Sequence, residues 1–188
     1  MISQPIKGTA KRFINPIDDE KIASDLSRDT KERSENIMIV DLVRNDLSNT
    51  AIKGSVEVEE LCGIYTFEQV HQMISTVVSN VSTTTSPVEI LRTTFPMGSM
   101  TGAPKLEVMK PIKSYEAAPR GYYSGSMGYR TPEGAFDANV LIRSLIYKPE
   151  NSRLSYHVGG AIVLDSKAEL EYQECLLKGE RMSKLFSA

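Results

Sequence analysis

The chain has 188 residues, of which 40% are hydrophobic and 24% charged, and its formal net charge is −2. This length and composition predict one globular domain with a substantial core. The near-neutral charge gives no reason to expect nucleic acid or an anionic membrane as partner. No apolar run approaches the roughly 20 residues that a membrane helix requires. The first residues lack the features of a signal peptide, and two cysteines, Cys62 and Cys175, predict neither a disulfide framework nor a zinc site, so we expect a cytoplasmic protein.

The chain opens on Pro5-Ile6-Lys7-Gly8-Thr9. Taken alone, a lysine between an apolar residue and a glycine is typical of a surface turn. Asn15-Pro16 then has the pattern of an N-cap followed by proline at the first helical position, which predicts a short helix to about Ser27.

A second helix is predicted to follow directly. Asp29 and Glu32 have the spacing of a capping box, and the helix should end near Leu47-Ser48-Asn49. On it, Glu35 shares a face with apolar residues four, seven and eight positions later. We expect that face to be buried, and a buried carboxylate needs a proton, a cation or a metal.

A similar arrangement occurs near the other end of the chain. Ser166 and Glu169 again have the spacing of a capping box, and Glu171 and Glu174 follow as Glu-x-x-Glu. Glu174 lies between two leucines at helical spacing, which predicts that it points inward. Two helices that each aim a carboxylate inward suggest one shared cation. The alternative, that Glu32 only caps its helix and Glu171 is only solvated, stays open.

Between these helices the patterns predict mostly strands. Residues Gly54–Phe67 and Gln69–Val81 are rich in β-branched residues and predict two strands. Ser86-Pro87-Val88-Glu89 is a third capping box, so a short helix is expected to Thr94. The Gly- and Pro-rich segment Phe95–Pro104 is either a connecting loop or a loop that offers backbone N–H groups to an anion before the next helix, which Pro111 should kink or stop.

Three further strands are expected in the last third of the chain, as an antiparallel meander: Gly121–Arg130, Ala135–Tyr147 and Arg153–Leu164. Both faces of the middle strand are partly apolar, so we expect both to be covered. Arg143 on that strand implies a carboxylate or phosphate partner, with an internal salt bridge to Asp137 or to the neighbours of Asn139 as the alternative. Helices, then strands, then a helix predict an α+β fold with a largely antiparallel sheet flanked by helices, in one domain over residues 1–188.

Six motifs stand in a fixed order along the chain. They are Pro5-Ile-Lys-Gly-Thr9; Glu32-Arg-x-Glu35 with Val40-Asp-Leu-x-Arg-Asn-Asp46; Phe95-Pro-x-Gly-x-x-x-Gly-Ala-Pro-Lys105; Arg120-Gly-x-Tyr-x-Gly125; Ile142-Arg143-Ser; and Asp165-Ser with Glu171-Tyr-x-Glu174. Together they resemble the chorismate-utilising enzymes over almost the whole chain. Members of that family are usually considerably longer, so the resemblance implies the C-terminal portion of the chorismate-binding fold.

Within the family, Lys7 favours the para-aminobenzoate branch, the aminodeoxychorismate synthases. Lysine is characteristic of that branch at this position, whereas anthranilate synthases typically have alanine. The resemblance then implies conversion of chorismate and ammonia to 4-amino-4-deoxychorismate, with Lys7 as a covalent nucleophile at ring C2 and Thr9 also in the catalytic motif. Anthranilate synthase and a truncated, non-catalytic chorismate-binding fragment are the alternatives.

The resemblance also implies a site. Mg²⁺ would hold the ring carboxylate of chorismate, with Glu35 and Glu174 as ligands and Glu32 and Glu171 reaching the ion through water, which suits a cation that prefers oxygen ligands and retains waters.

Two further pairs of residues would bind the substrate itself. Arg143, with Tyr123 beside it, would bind the enolpyruvyl carboxylate. Backbone amides of Gly159 and Gly160 would approach the ring carboxylate. Ammonia would come from a separate glutamine amidotransferase subunit, and exposed sheet edges would favour homo-oligomers.

The chain departs from the family pattern at several positions. Ala10-Lys11-Arg12-Phe13 follows Gly-Thr where relatives often have Arg-Pro-Arg-Gly. The histidine that many relatives carry in the second predicted strand is shifted, with His71 followed by Gln72. Ala161 stands where many relatives have a further glycine.

Overall fold

A computed structural model describes residues 1–164 and 166–186 of the chain. The contacts divide the chain into two compact units, Met1–Ile112 and Lys113–Ala188. The expectation of a single chorismate-binding domain stays a prediction. None of the helices in the described part of the chain is long and apolar enough to cross a membrane.

The first unit combines an antiparallel sheet with helices. Its strands are β1 (Ile2–Ser3), β2 (Ile6–Lys11), β3 (Glu57–Thr66) and β4 (Val70–Val78). Its helices are α1 (Pro16–Arg28), α2 (Thr30–Ser48), α3 (Pro87–Thr94) and α4 (Lys105–Tyr115), the last of which continues into the second unit, with a 3-10 turn at Gly98–Met100.

Strand β4 is the centre of this sheet. It pairs antiparallel with β3 on one side and with β1 and β2 on the other. Its Met73 and Val77 are fully buried, and they pack with Leu26 of α1 and with Val40 and Leu47 of α2. The core of the first unit therefore lies between β4 and the first two helices.

Three predicted helix starts are confirmed by their caps. The side chain of Asn15 accepts a hydrogen bond from the N–H of Ile17, and Asp29 accepts one from the N–H of Glu32 at 2.9 Å. Ser86 does the same for Glu89. Each cap satisfies a backbone donor that would otherwise be unpaired in the first turn.

The second unit is built from two hairpins and a helix. Its elements are β5 (Ser126–Arg130), β6 (Phe136–Val140), β7 (Ile146–Lys148), β8 (Arg153–Ser155) and α5 (Ala168–Ser183), with 3-10 turns at Pro149–Asn151 and Lys184–Phe186. β5 pairs antiparallel with β6, and β7 pairs antiparallel with β8, as two separate two-stranded sheets.

The predicted three-stranded meander is therefore wrong in detail. The expected strand Ala135–Tyr147 is divided into β6 and β7, and Arg143 between them has a φ of +51°, outside the extended range of a regular strand. The expected strand Arg153–Leu164 continues only to Ser155. Asp137 and Asn139 on β6 are exposed while the alternate residues are half-buried, so only one face of that strand is covered.

One predicted helix start is also wrong, and of the two alternatives for Pro111, to kink or to stop its helix, the stop is excluded. Ser166 does not cap α5, because its hydroxyl accepts from the N–H of Val163 and donates to Glu171 at 2.7 Å, and Lys167 takes the N-cap position without a side-chain bond. Pro111 lies inside α4 and does not end it. The fold class, helices with a mainly antiparallel sheet, is confirmed.

Candidate active site

Lys7 lies on β2 where that strand contains a bulge. Ile6 pairs with Ile74 and Thr9 pairs with Gln72, so β2 has one residue more than β4 between these two pairs. Gly8 adopts a φ of +90°, which favours glycine, and a Cβ there would lie 3.2 Å from the Cβ of Met73. The bulge therefore brings the backbone of Gly8, next to Lys7, close to Met73 of β4, and it changes the direction in which the side chains of β2 point.

The predicted residues of the first unit meet at this bulge. Lys7 Nζ lies 3.6 Å from Glu35 Oε2, and both side chains are about one-quarter exposed (26% and 24%). A Cβ on Gly8 would lie 3.3 Å from Glu32 Oε2, so the carboxylate of Glu32, on α2, also lies close to the bulge. Thr9, by contrast, is exposed on β2.

The two glutamates of α2 impose an electrostatic cost on each other. The pKa of Glu32 is raised above its usual value, first by burial and then by the negative charge of Glu35. The positive charge of Lys31 opposes this rise in the Glu32 pKa, and Lys31 Nζ also lies 4.0 Å from Glu35 Oε1. A cation placed between such carboxylates lowers the free energy of the pair.

Two predicted glycines of the second unit lie close to three other predicted residues, Tyr123, Glu171 and Glu174. A Cβ on Gly159 would lie 2.9 Å from the hydroxyl of Tyr123. A Cβ on Gly160 would lie 3.3 Å from Glu171 Oε2 and 4.0 Å from Glu174 Oε1. At Gly159 any larger residue would push the tyrosine hydroxyl away, so glycine permits this close approach.

Lys178 belongs to the same group, although the sequence analysis did not single it out. Its Nζ lies 2.5 Å from Glu174 Oε1 and donates to the carbonyl of Gly159 at 3.0 Å. The spacing of four residues from Glu174 on a helix is the signal that could have identified it.

Glu174 is not on a buried face, and that expectation is wrong. Its side chain is 49% exposed, and the flanking Leu170 and Leu177 are exposed as well. The buried side of α5 instead includes Gly179 and Met182, with Gly179 facing Tyr156. Glu35 is half-buried, beside the buried Ile39 of the same helix.

Arg143 is exposed in the turn between β6 and β7. The ion pairs of residues 1–164 and 166–186 include none to Arg143, so the alternative salt bridge to Asp137 is wrong. Tyr123 stacks on His157 with ring centroids 5.7 Å apart, and the Arg120 guanidinium lies 5.9 Å from its ring centroid. Burial raises the pKa of Tyr123, which therefore stays a hydrogen-bond donor at neutral pH.

An ion pair that the sequence did not reveal links two of the motifs. Lys105 Nζ lies 2.5 Å from Asp46 Oδ1 and donates to the carbonyl of Thr94 at 3.2 Å. Burial raises the pKa of Asp46, and the hydrogen bond from Lys105 opposes that rise. The pair joins the C-terminal end of α2 to the start of α4.

His71 has a structural environment. It is 2% exposed, its Nε2 lies 3.0 Å from Asp19 Oδ1, and its Nδ1 lies 3.0 Å from the hydroxyl of Thr66. Both ring nitrogens are therefore engaged inside the first unit.

Glutamate pairs that could bind a cation lie on two helices, Glu32 with Glu35 on α2 and Glu171 with Glu174 on α5. Carboxylate oxygens are ligands that Mg²⁺ accepts, and Mg²⁺ is typically bound by one or two carboxylates and several waters. No three His, Cys, Asp or Glu side chains are grouped to hold a metal among residues 1–164 and 166–186. The ion and its ligands therefore stay a prediction.

The model of the chorismate binding enzyme family matches residues 1–184. The chain belongs to the chorismate binding enzyme family. Asp165, part of its last motif, lies outside the described residues.

Individual members of the chorismate binding enzyme family match nearly the whole chain. It is 42% identical over 185 residues to an aminodeoxychorismate synthase of Streptomyces griseus, covering 98% of this chain and 25% of that protein. It is 41% identical over 182 residues to aminodeoxychorismate synthase component 1 of Escherichia coli strain K12, covering 97% of this chain and 40% of that protein.

The crystal structure of anthranilate synthase component I from Streptococcus pneumoniae is similar with a TM-score of 0.83 and 33% identity, over 96% of this chain and 39% of that chain. The chain thus spans less than half the length of each of these three relatives.

Proposed function

We propose that this chain is the synthase part of an enzyme that converts chorismate and ammonia to 4-amino-4-deoxychorismate, for para-aminobenzoate and folate biosynthesis. The observation that carries the proposal is Lys7, held at the β2 bulge 3.6 Å from Glu35. The similarity to two proteins named aminodeoxychorismate synthase supports the choice of product.

In the proposed reaction the lone pair of Lys7 Nζ attacks ring C2 of chorismate. The C1=C2 double bond shifts to C1=C6, the C5=C6 double bond shifts to C4=C5, and the C4–O bond breaks, so that the hydroxyl leaves with a proton as water. Ammonia then attacks C4, both ring double bonds shift back, the C2–N bond breaks, and a proton of the added nitrogen passes to the departing amine of Lys7. Because the attacking amine must be unprotonated, Lys7 must first lose its ammonium proton to solvent or a nearby base, which also ends its ion pair with Glu35.

The remaining residues would bind and orient the substrate. Arg143, which is exposed, and Tyr123, whose hydroxyl is close to Gly159, would bind the enolpyruvyl carboxylate. The backbone amides of Gly159 and Gly160 would bind the ring carboxylate, since neither residue has a side chain in the way.

Glu35 and Glu174 would hold Mg²⁺, with Glu32 and Glu171 reaching it through water. When bound, the ion supplies positive charge that draws electron density from the ring carboxylate as the hydroxyl leaves. The raised pKa of Glu32, caused first by burial and then by the negative charge of Glu35, supports this assignment, because a cation beside the two carboxylates would offset both effects.

The partners follow from the same proposal. A separate glutamine amidotransferase subunit would deliver ammonia, and the name "component 1" of the Escherichia coli relative supports a multi-component enzyme. We also propose a cytoplasmic location. Strands β2 and β3 are edges of the first sheet and could pair with a second copy of the chain.

The test is incubation of the chain with chorismate and Mg²⁺, with and without ammonium, followed by mass spectrometry. We expect a covalent adduct on Lys7 without ammonium, and 4-amino-4-deoxychorismate with no release of pyruvate when ammonium is present. Lys7→Ala should abolish both. Lys31→Ala is the matched control, because Lys31 is a second lysine near Glu35 that the mechanism does not use.

The alternatives predict other outcomes. Pyruvate release would identify anthranilate synthesis, which the similarity to an anthranilate synthase structure keeps as the second candidate. An unmodified mass and no turnover would identify a chorismate-binding fragment without catalysis. An adduct that forms equally well in Lys7→Ala would exclude Lys7 as the nucleophile.

A further inference from the structure

We propose that Asn36 is a positioning residue that fixes both Lys7 and Glu35 by binding the backbone at the β2 bulge. The inference rests on the proposed function, in which Lys7 is the nucleophile. Asn36 touches no reacting group, and its effect would pass through the backbone of β2 and of α2.

The bulge interrupts the backbone pairing between β2 and β4 opposite Met73. Between the pairs Ile6–Ile74 and Thr9–Gln72, the two residues Lys7 and Gly8 stand opposite Met73 alone. A bulge of this kind leaves backbone groups without ladder partners, and a buried backbone carbonyl needs another donor.

Asn36 supplies that donor from α2. Its side-chain Nδ2 lies 3.3 Å from the carbonyl oxygen of Met73 and 3.5 Å from that of Lys7. The residue is 0% exposed. One amide group therefore binds both strands at the bulge, and its two N–H groups match the two carbonyls.

The amide oxygen of Asn36 is held as well. Ser75 Oγ donates to Asn36 Oδ1 at 2.5 Å, and the same Ser75 Oγ accepts from the N–H of Cys62 at 2.8 Å. Cys62 lies on β3 at a second irregularity, with a φ of +57°. The network thus joins α2 to three strands, and it fixes which way the amide points, because the reverse orientation would face its oxygen to two carbonyls.

The position of Asn36 in the sequence gives it a second effect. It directly follows Glu35 on α2, so anchoring its side chain in the sheet fixes the rotation of the helix at this turn. The side chain of Glu35 then stays partly exposed, 3.6 Å from Lys7, while the side chain of Asn36 is fully buried against the sheet. A single buried amide sets the position of both members of the ion pair.

The test compares Asn36→Asp with two other variants. Aspartate keeps the shape of the side chain but places acceptor oxygens against two carbonyls. Ser75→Ala removes the hydroxyl that orients the amide without adding any charge. Val77→Ala is the control for general loss of core packing, since Val77 is fully buried on the same strand and has no part in the network.

The first measurement is hydrogen exchange of the backbone amides of Gly8 and Thr9 in the full chain without substrate. We expect Asn36→Asp to speed this exchange, with Ser75→Ala showing a smaller effect and Val77→Ala none beyond its change in global stability. The second is steady-state kinetics with chorismate and ammonium, where Asn36→Asp should lower kcat about a hundredfold, since small displacements of a reacting group have effects of this size, and leave KM within about threefold.

The outcomes separate the two proposals. If the wild-type chain makes no 4-amino-4-deoxychorismate, the proposed function fails, and hydrogen exchange still decides the role of Asn36. Wild-type exchange and wild-type kcat in Asn36→Asp would overturn the positioning role, as would faster exchange of the same size in Val77→Ala. Should Asn36→Asp not fold, Ser75→Ala decides by the same two measurements.

Discussion

At the scale of single residues, the pair of Lys105 and Asp46 makes stability depend on pH. Their side chains are 16% and 9% exposed, and Lys105 opposes the rise in the Asp46 pKa that burial causes. Because the folded-state pKa is raised, the contribution of Asp46 to stability is largest below the ordinary carboxyl pKa and is lost as pH rises through the folded value.

Lys105→Met should therefore destabilise the chain most at neutral pH. Without the ammonium, the Asp46 carboxylate is left buried and unpaired, at a cost of about 3 kcal/mol near pH 7 that shrinks at about pH 4, where a proton replaces the lysine. Urea unfolding at the two pH values measures the difference. Lys110→Met, at an exposed i,i+3 pair with Glu107, should change stability by about 0.5 kcal/mol or less. An equal loss at both pH values for Lys105→Met would contradict the argument.

For Asp19 we expect the opposite dependence of stability on pH. The backbone N–H of Phe13, followed by hydrogen bonds from His71 and Arg12, holds the pKa of Asp19 below its usual value. A lowered pKa contributes stability above the ordinary carboxyl value that is lost as pH falls through the folded value.

Asp19→Asn should therefore flatten the acid side of the stability profile. Between about pH 5 and about pH 3, the unfolding free energy of the variant should fall less than that of the wild type. Asp18→Asn, at the exposed neighbouring position on α1, is the control and should keep the wild-type slope. A steeper acid loss in Asp19→Asn than in the wild type would refute the assignment.

At the scale of elements, helix starts were predictable because caps depend on residues within three positions of one another. Asn15, Asp29 and Ser86 each bind the backbone N–H that the sequence pattern indicates. Ser166 has the same pattern but does not cap α5, since its hydroxyl is hydrogen-bonded to Val163 and Glu171. The pattern shows which bond is available, and the surrounding structure decides whether it forms.

The caps give a matched comparison. Asp29→Ala should destabilise the chain by about 1 kcal/mol and fray the first turn of α2, because the N–H of Glu32 loses its acceptor. Ser166→Ala should cost less, about 0.5 kcal/mol, since Ser166 caps no helix. Chemical denaturation and hydrogen exchange at residues 31–33 measure the two effects. A larger cost for Ser166→Ala than for Asp29→Ala would reverse this interpretation of the caps.

Irregular elements were not predictable from periodicity. Alternation of apolar and polar residues runs from Phe136 to Val140, where β6 ends, and nothing in the apolar residues that follow indicates the positive φ of Arg143. Asn36 is similar. An asparagine in mid-helix is usually solvated, and the β2 bulge that makes its burial favourable cannot be seen in the pattern of α2.

At the scale of the whole molecule, each unit unites residues that are distant in sequence. The first brings Lys7 to Glu32 and Glu35. The second brings Tyr123 to Gly159, and Gly160 to two glutamates. The resemblance implied that all of these residues serve one site, but it placed Tyr123 beside Arg143 and gave no contact between Tyr123 and Gly159. The partner of Lys105 was not predicted, because a lysine on a polar helix surface gives no sign of the distant carboxylate it binds. Lys178 was not singled out, although its spacing of four residues from Glu174 could have indicated that contact.

Magnesium binding tests the proposal that residues from both ends of the chain serve one ion. Glu35→Gln and Glu174→Gln should each weaken Mg²⁺ binding, measured by calorimetry on the full chain, by at least about tenfold. Glu107→Gln, at an exposed glutamate of α4, should bind as the wild type does. If the two carboxylates bind the same ion, the double variant should lose much less than the product of the single losses, because removing one ligand already forfeits part of what the other contributes. Losses that multiply would mean that Glu35 and Glu174 act independently, and the shared-ion proposal would fall even if Lys7 forms its adduct.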